Sequence, residues 1–599
     1  MEGYMGRVLF INLTSGSIGE EMLPNEVYRH FIGGVGLGVR VLYERMAAKV
    51  VPLGISSMLG FITGPLTGTP VPGASSRYKV VGKSPLTGTW GDADAGGFFG
   101  AELKASGYDA VFFTGISPKP VYLLVCNGKA ELKDGTYLWG KDTTETEEIL
   151  RQELGDQAVR VACVGPSGES QSLLASVISD KGRAAARSGL GAVMGAKHLK
   201  AIAVRGTKKV PVADSGKLSA LRSDYLKGFR KAKELGERRK FGTCYLLEPL
   251  IKRGDTPIKN WMLSGPEAMP SYSKLCAANV INHQVKRFTC PGCPVSCGGI
   301  VKVKEGPYAV SEGHKPEYET LASFGTLCLN DDVKSVIKAN DICNRYGVDT
   351  ISTGSVIAFA MECYERGIID KVETGGIELT WGNAPAIIAI LERIVRRQGF
   401  GAVLADGVAK AAERIGKESE GYAVHIHGQE LPAHDPRYSQ DRATGYIVNP
   451  TPARHIWARQ IPKQVPVQGP LCSQASNYYQ VAAAAGCCAF ILLDNAFPLI
   501  EFMSAVTGWD LTIGEVLTTG QRIQTLRQAF NIREAIHSRD FRLPKRLTDA
   551  WSMGPLAGIA IDQENLRASY YAAMDWDIET GQPSELILKK LALQSLKCQ

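Results

Sequence analysis

Cys290, Cys293 and Cys297 lie within the stretch RFTCPGCPVSCGG, residues 287–299, in the order C-x2-C-x3-C. Three thiols this close suit a metal far better than a protein core. A disulfide is disfavoured because most of the 14 cysteines are scattered singly, as in a reducing compartment. Structural zinc usually takes a second C-x2-C knuckle or a histidine pair, and the chain has no second knuckle; His314, next downstream, has no partner. An iron–sulfur cluster needs several thiolates in a tight loop, completed by a distant one. The prolines and glycines of CPGCPVSCGG suit a loop whose N–H groups turn toward sulfur. A [4Fe–4S] cluster is therefore expected, and three thiols leave one iron without a ligand. Cys487 and Cys488, in the apolar run VAAAAGCCAFILL, are candidates for the fourth, against a plain reading as core. Spacing alone leaves the other lone cysteines open.

Two further stretches carry glycine beside arginine. Residues 61–115 repeat Gly with Ser and Thr around Arg77 and Lys83, and residues 181–204 place Arg183 and Arg187 before a Gly-rich turn. Glycine lets backbone approach a ligand closely, and arginine pairs with phosphate. Neither stretch is a Walker P-loop or a plain G-x-G-x-x-G, so a large anionic cofactor is favoured over simple tight turns.

The elements that must position these residues change character along the 599-residue chain. Residues 1–205 hold strand-like runs (GRVLFINL, YKVVG, DAVFFTGI, PVYLLVC, AIAVRG) with a helix at TTETEEILRQEL. A polar linker follows at 205–217. Beyond it the pattern turns helical: 333–347, 351–367, 384–399 and 402–416 each repeat apolar residues at helical spacing, several stopping at Gly. An irregular patch at 425–445 divides this part in two.

Composition sets outer bounds. Hydrophobic content of 44% and charged content of 21% are those of a soluble globular protein. The longest apolar run, residues 481–493, is too short to span a membrane, and MEGYMGRVLFINLTSG lacks the features of a signal peptide, so a cytoplasmic protein is expected. Net charge is +8. The densest basic stretch, KGFRKAKELGERRK at 227–240, reads most simply as a solvated helix face, and more sharply as a docking patch for an acidic electron carrier. No aromatics interleave with its charges, which argues against nucleic acid.

Taken in order, GPLTGTPVPGASSRY, KSPLTG, GGFFGAELKASGYDA, RAAARSGLGAVMGAKHLKAIAV, CPGCPVSC, PEYET, GVDTISTG and LPAHDPR resemble the aldehyde:ferredoxin oxidoreductase family of tungsten enzymes. The resemblance runs from GRVLFINLTSG to FNIREAI, almost the whole chain. It implies an α+β protein: a β-rich N-terminal domain, residues 1–208, forming the base for two pyranopterins; a helical domain, 209–420, with the cysteine loop; and a helical C-terminal domain, 421–599. The metal, tungsten or alternatively molybdenum, would be held by pterin dithiolenes rather than by protein.

By the same resemblance, Arg77 and Arg183 match positions near the pterin phosphates. Asp94 and Ala184 match positions whose carbonyls hold a bridging Mg2+. Cys290, Cys293 and Cys297 match cluster ligands, and Gly486 sets the register that makes Cys488 the fourth, with Cys487 as runner-up. Two pterin-contacting aspartates of the family are Ala483 and Asn344 here, while Asp349 remains. Glu319 and His455 match residues beside the tungsten, where a carboxylate acts as base and an imidazole orients a carbonyl oxygen; without the resemblance they read as a helix-start carboxylate and a core histidine. Trp457 replaces a lysine and is expected to reshape the substrate pocket. The implied activity is aldehyde oxidation, with electrons leaving through ferredoxin or a small iron–sulfur subunit, in a homodimer or larger complex. The rivals are a tungsten aryl-CoA reductase subunit of the benzoyl-CoA type, whose metal carries a protein cysteine, and a non-catalytic iron–sulfur or zinc scaffold.

Overall fold

The computed structural model describes residues 1–229, 233–455, 469–494 and 496–594. Its first third is built from two six-stranded mixed sheets. The first runs β2-β1-β6-β3-β4-β5, with β1 at Val8–Asn12, β2 at Ser17–Glu21, β3 at Leu59–Thr63, β4 at Tyr78–Lys83, β5 at Trp90–Ala95 and β6 at Ala110–Thr114. The second runs β11-β10-β9-β12-β7-β8, with β7 at Val121–Cys126, β8 at Lys129–Asp134, β9 at Arg160–Cys163, β10 at Val177–Ser179, β11 at Arg183–Ala185 and β12 at Leu199–Arg205. The strand-like runs of the sequence all appear as strands.

Alternation of side chains along each strand decides what each face meets. In β6, Val111 and Phe113 join a core shared with Leu123, Val125, Ile202 and Val204 of the second sheet. Ala110 and Phe112, on the opposite face, join the larger helical core. Lys79 on β4 lies opposite Asp94 on β5, and Val81 opposite Asp92, so this second face also carries charge. That polar strip is the floor of the site.

The rest of the chain is mainly helical, and the fold class is α+β. Val333–Tyr346 and Thr350–Glu365 are capped by Asp332 and Asp349, whose carboxylates accept from backbone N–H groups of their first turns. Gly469–Ala485 packs against Ile513–Arg533 and Gln563–Met574. No described helix is long and apolar enough to cross a membrane.

Three details depart from the expected pattern. The helix read over 402–416 is two, Phe400–Leu404 and Val408–Ile415. The break is at Gly407 (φ +88°), where Glu430 accepts the Val408 N–H at 2.6 Å. The patch at 425–445 ends in a helix, Gln440–Val448. The stretch expected to be helical also holds a three-stranded antiparallel sheet, β13 (Gln284–Phe288), β14 (Gly298–Val303) and β15 (Val310–His314), which carries the cysteine loop.

Candidate active site

The loop between β13 and β14 presents Cys290, Cys293 and Cys297; the Cys293 N–H donates to the Cys290 carbonyl at 3.1 Å and closes its first turn. A fourth cysteine arrives from the far side. Helix Gly469–Ala485 ends at Gly486 (φ +100°), where a Cβ would stand 2.6 Å from Thr67 Oγ1, so the sharp exit requires glycine. The next two residues diverge. Cys487 is buried in the helical core. Cys488 donates its N–H to Gly73 O at 2.9 Å and turns its sulfur into a cavity of about 1460 Å³, whose wall also includes Cys290, Cys293 and Cys297 but not Cys487.

Cations answer this sulfur-rich end. Arg77 Nη2 donates to Cys488 Sγ at 2.9 Å, and the Gly97 N–H donates to Cys290 Sγ at 3.3 Å. Burial alone would weaken the Arg77 charge; the neighbouring Cys488 sulfur and Asp94 outweigh it and raise the pKa. Arg183 stacks 4.4 Å over Phe288, and Cys290 and Cys297 hold it protonated against burial in the same way. Burial and the neighbouring sulfurs of Cys488 and Cys290 push the Cys293 thiol up to about 11.

Along the floor, Asp94 pairs with Arg77 at 3.1 Å and with Lys79 at 3.2 Å. Ala184 on β11 and the buried Asn344 line the same cavity. Asp349 caps its helix through the Ile351 N–H at 3.1 Å and lies 3.4 Å from Arg187 Nε. Ala483, in contrast, is absent from the described wall, which that helix forms through Tyr478 and Tyr479 instead.

At the other end, Glu319 opens the short buried helix Tyr318–Phe324. Its Oε2 accepts the Ala433 N–H at 2.8 Å. Its Oε1 has no hydrogen-bond partner among the described residues and stands 3.4 Å from both His434 Nε2 and His455 Nε2. His434 Nδ1 lies 3.0 Å from Asp255, which also takes Arg442 at 2.7 Å. Burial raises the Glu319 pKa, and His434 offsets part of that rise. Burial, with His434, Arg187 and Arg442 nearby, drives His455 well below its usual range, so its ring is neutral at pH 7. Asp255 stays low despite burial because Arg442 and His434 flank it.

Every described candidate chosen from the sequence lines one cavity, apart from Gly486, Cys487 and Lys83, which turns away to pair with Glu534 at 2.6 Å. The sequence pattern does not single out His434 or its partners Asp255 and Arg442, although LPAHDPR contains the histidine, and it marks Arg187 only as an anion contact. Trp457 lies outside the described residues.

Two family models match the chain: Aldehyde ferredoxin oxidoreductase, N-terminal domain, over residues 8–206, and Aldehyde ferredoxin oxidoreductase, domains 2 & 3, over residues 220–593. The chain belongs to the aldehyde ferredoxin oxidoreductase family. Among its relatives, a tungsten-containing aldehyde ferredoxin oxidoreductase of Pyrococcus abyssi is 35% identical over 614 residues, covering 99% of this chain and 100% of that one. The WOR-like subunit of an aliphatic sulfonate oxidoreductase of Pyrococcus furiosus is 30% identical, covering 100% and 98%. Among solved structures, the active-site complex BamBC of benzoyl coenzyme A reductase with 1,5-dienoyl-CoA aligns with TM-score 0.85 at 25% identity, covering 99% of this chain and 98% of that one.

The family's cofactor finds a suitable setting. Arg77 Nε, Arg183 Nε and Arg187 Nη1 are buried donors in the cavity wall without a hydrogen-bond partner among the described residues. Buried guanidinium donors require acceptors, and pterin phosphates are acceptors of the right charge. The wall's described cysteines are the four thiols and Cys472.

Proposed function

We propose that the chain oxidises aldehydes, RCHO + H2O → RCOOH + 2 H+ + 2 e−, and passes the electrons singly through a [4Fe–4S] cluster on Cys290, Cys293, Cys297 and Cys488 to ferredoxin or an iron–sulfur subunit. The observation that carries this reading is one cavity with four convergent thiols at one end and Glu319 between two histidines at the other. A tungsten bis-pyranopterin, or its molybdenum counterpart, with its Mg2+, would rest against Arg77, Asp94, Arg183, Ala184, Asn344 and Asp349. Bound there, it supplies the two-electron acceptor.

The chain's own residues manage the protons and the orientation. Glu319, with its pKa raised by burial, is poised to take a proton from water as it adds to the carbonyl. His434 bridges two carboxylates, with Nδ1 3.0 Å from Asp255 and Nε2 3.4 Å from Glu319 Oε1, and so holds the Glu319 carboxylate in place. His455, neutral, orients the carbonyl oxygen. Turnover of simple aldehydes with a viologen dye, by protein purified anaerobically from a tungstate-supplied host, tests this reading; absence of turnover by metal-replete protein overturns it.

A second reading, an aryl-CoA reductase subunit, is favoured by one feature. A fifth cysteine, Cys472, stands in the cavity wall and offers the protein thiol such a metal would take. Benzoyl-CoA in place of aldehyde, with reduced viologen as donor, separates the two.

A further inference from the structure

The basic run at 227–240 has no role in the chemistry above. Its second helix, Lys233–Phe241, ends against the cysteine loop. The Gly242 that follows lies so near the Cys297 carbonyl oxygen that a Cβ would stand 2.6 Å from it. Lys315 Nζ holds the Phe241 carbonyl at 2.9 Å, and Arg287 Nη1 on β13 holds that of Arg239 at 3.0 Å. Helix and edge strand therefore form one surface. The helix turns Arg238 inward, 4.9 Å over Phe490, and leaves Arg239 and Lys240 exposed. On β13, Lys286 and Arg287 are exposed, with Val285 62% exposed beside them. Glu237 is the exposed acid on the described part of the helix.

The same surface is where the cluster loop comes closest to solvent. Thr289 and Gly292 are exposed, and Cys290 and Cys293 are half-buried beneath them. We infer that Arg239, Lys240, Lys286 and Arg287 form the docking surface for an acidic iron–sulfur protein, which takes electrons through the loop Thr289–Cys297. The inference rests on the cluster reading above and adds to it the place, charge and chemistry of the partner. Four exposed cations round one apolar side chain form a charged rim about a small centre, an arrangement that steers a transient encounter and sets its salt dependence more than its strength. Small transient redox contacts need little buried area.

The test uses full-length holoenzyme carrying K240E and K286E, since neither side chain makes a described ion pair or hydrogen bond, and neither contacts the catalytic residues. Aldehyde oxidation is followed with an acidic ferredoxin and, separately, with methyl viologen. Steering by surface charge is worth about 10-fold or more in association rate at low salt. The ferredoxin rate is expected to fall by about tenfold at low salt, with a flatter dependence on ionic strength, while the viologen rate is unchanged. Should the double reversal impair folding, K240Q/K286Q is expected to give the same pattern at roughly a third to a fifth of the wild-type ferredoxin rate. An unchanged ferredoxin rate and salt slope overturn the inference. So does a shift in sedimentation, which would assign the surface to a second copy of the chain. Wild-type enzyme that fails even with viologen would instead sink the enzymatic reading itself.

Discussion

At one end of the cavity four thiols face two buried guanidiniums; at the other a single carboxylate, Glu319, faces two imidazoles. The first end sets arginine against sulfur, with Arg77 on Cys488 and Arg183 beside Cys290 and Cys297. The second keeps its groups near the neutral, proton-sharing condition: burial lifts Glu319 and depresses His455. An electron conduit needs fixed charge, whereas a proton-transfer site needs groups that gain and lose charge with little cost. The two ends differ in construction as well. Three of the four thiols come from eight consecutive residues, while Asp255, Glu319, His434 and His455 come from separate segments of the chain.

That division is open to direct attack. Cys488→Ser should abolish turnover with every acceptor and remove most of the iron, whereas Cys487→Ser should retain both; similar iron loss in the two would erase the assignment, and iron analysis beside viologen assays checks it. Glu319→Gln should lower kcat by about 10²–10⁴, the usual worth of a positioned general base, with iron and tungsten contents unchanged. Lost metal in that variant would show that the two ends are one structural unit.

A smaller effect is expected of His434→Gln, about tenfold in kcat/KM, because it acts through Glu319. It should also move the pH profile. Glu319 titrates above its usual 4.5, so kcat/KM rises with pH through that raised value as the base ionises. His434 holds the value down, and its removal should push the acid limb to higher pH. His455, depressed well below 6.5, should contribute no limb near neutrality. A profile that is unmoved in the variant would make His434 a packing residue. Least of all, Cys472→Ser should leave aldehyde turnover unchanged; its loss would favour the reductase reading.

How much was legible follows from the same contrast. The cysteine loop is legible from its spacing, whereas the choice of Cys488 over Cys487 comes from the family pattern around Gly486 and not from spacing. The sandwich strands were read from β-branched runs, and Asp349 from its family motif. His434 was not singled out, because a lone histidine in an irregular stretch carries no periodicity, and its partner Asp255 lies 179 residues away. The sheet β13–β15 escaped because its strands are short and half polar, with Lys and Arg on the open face of β13. Gly407 sits inside a run with good helical spacing, and only the reach of Glu430 from another segment explains the break there.

The most direct measurement is elemental and pterin analysis of protein purified anaerobically from a tungstate-supplied host. The account predicts pterin, about one tungsten and about four iron per chain, as a four-cysteine cluster requires, with iron lost selectively in Cys488→Ser. A pterin-free protein containing zinc alone, or one that turns over aldehydes without either metal, would contradict it.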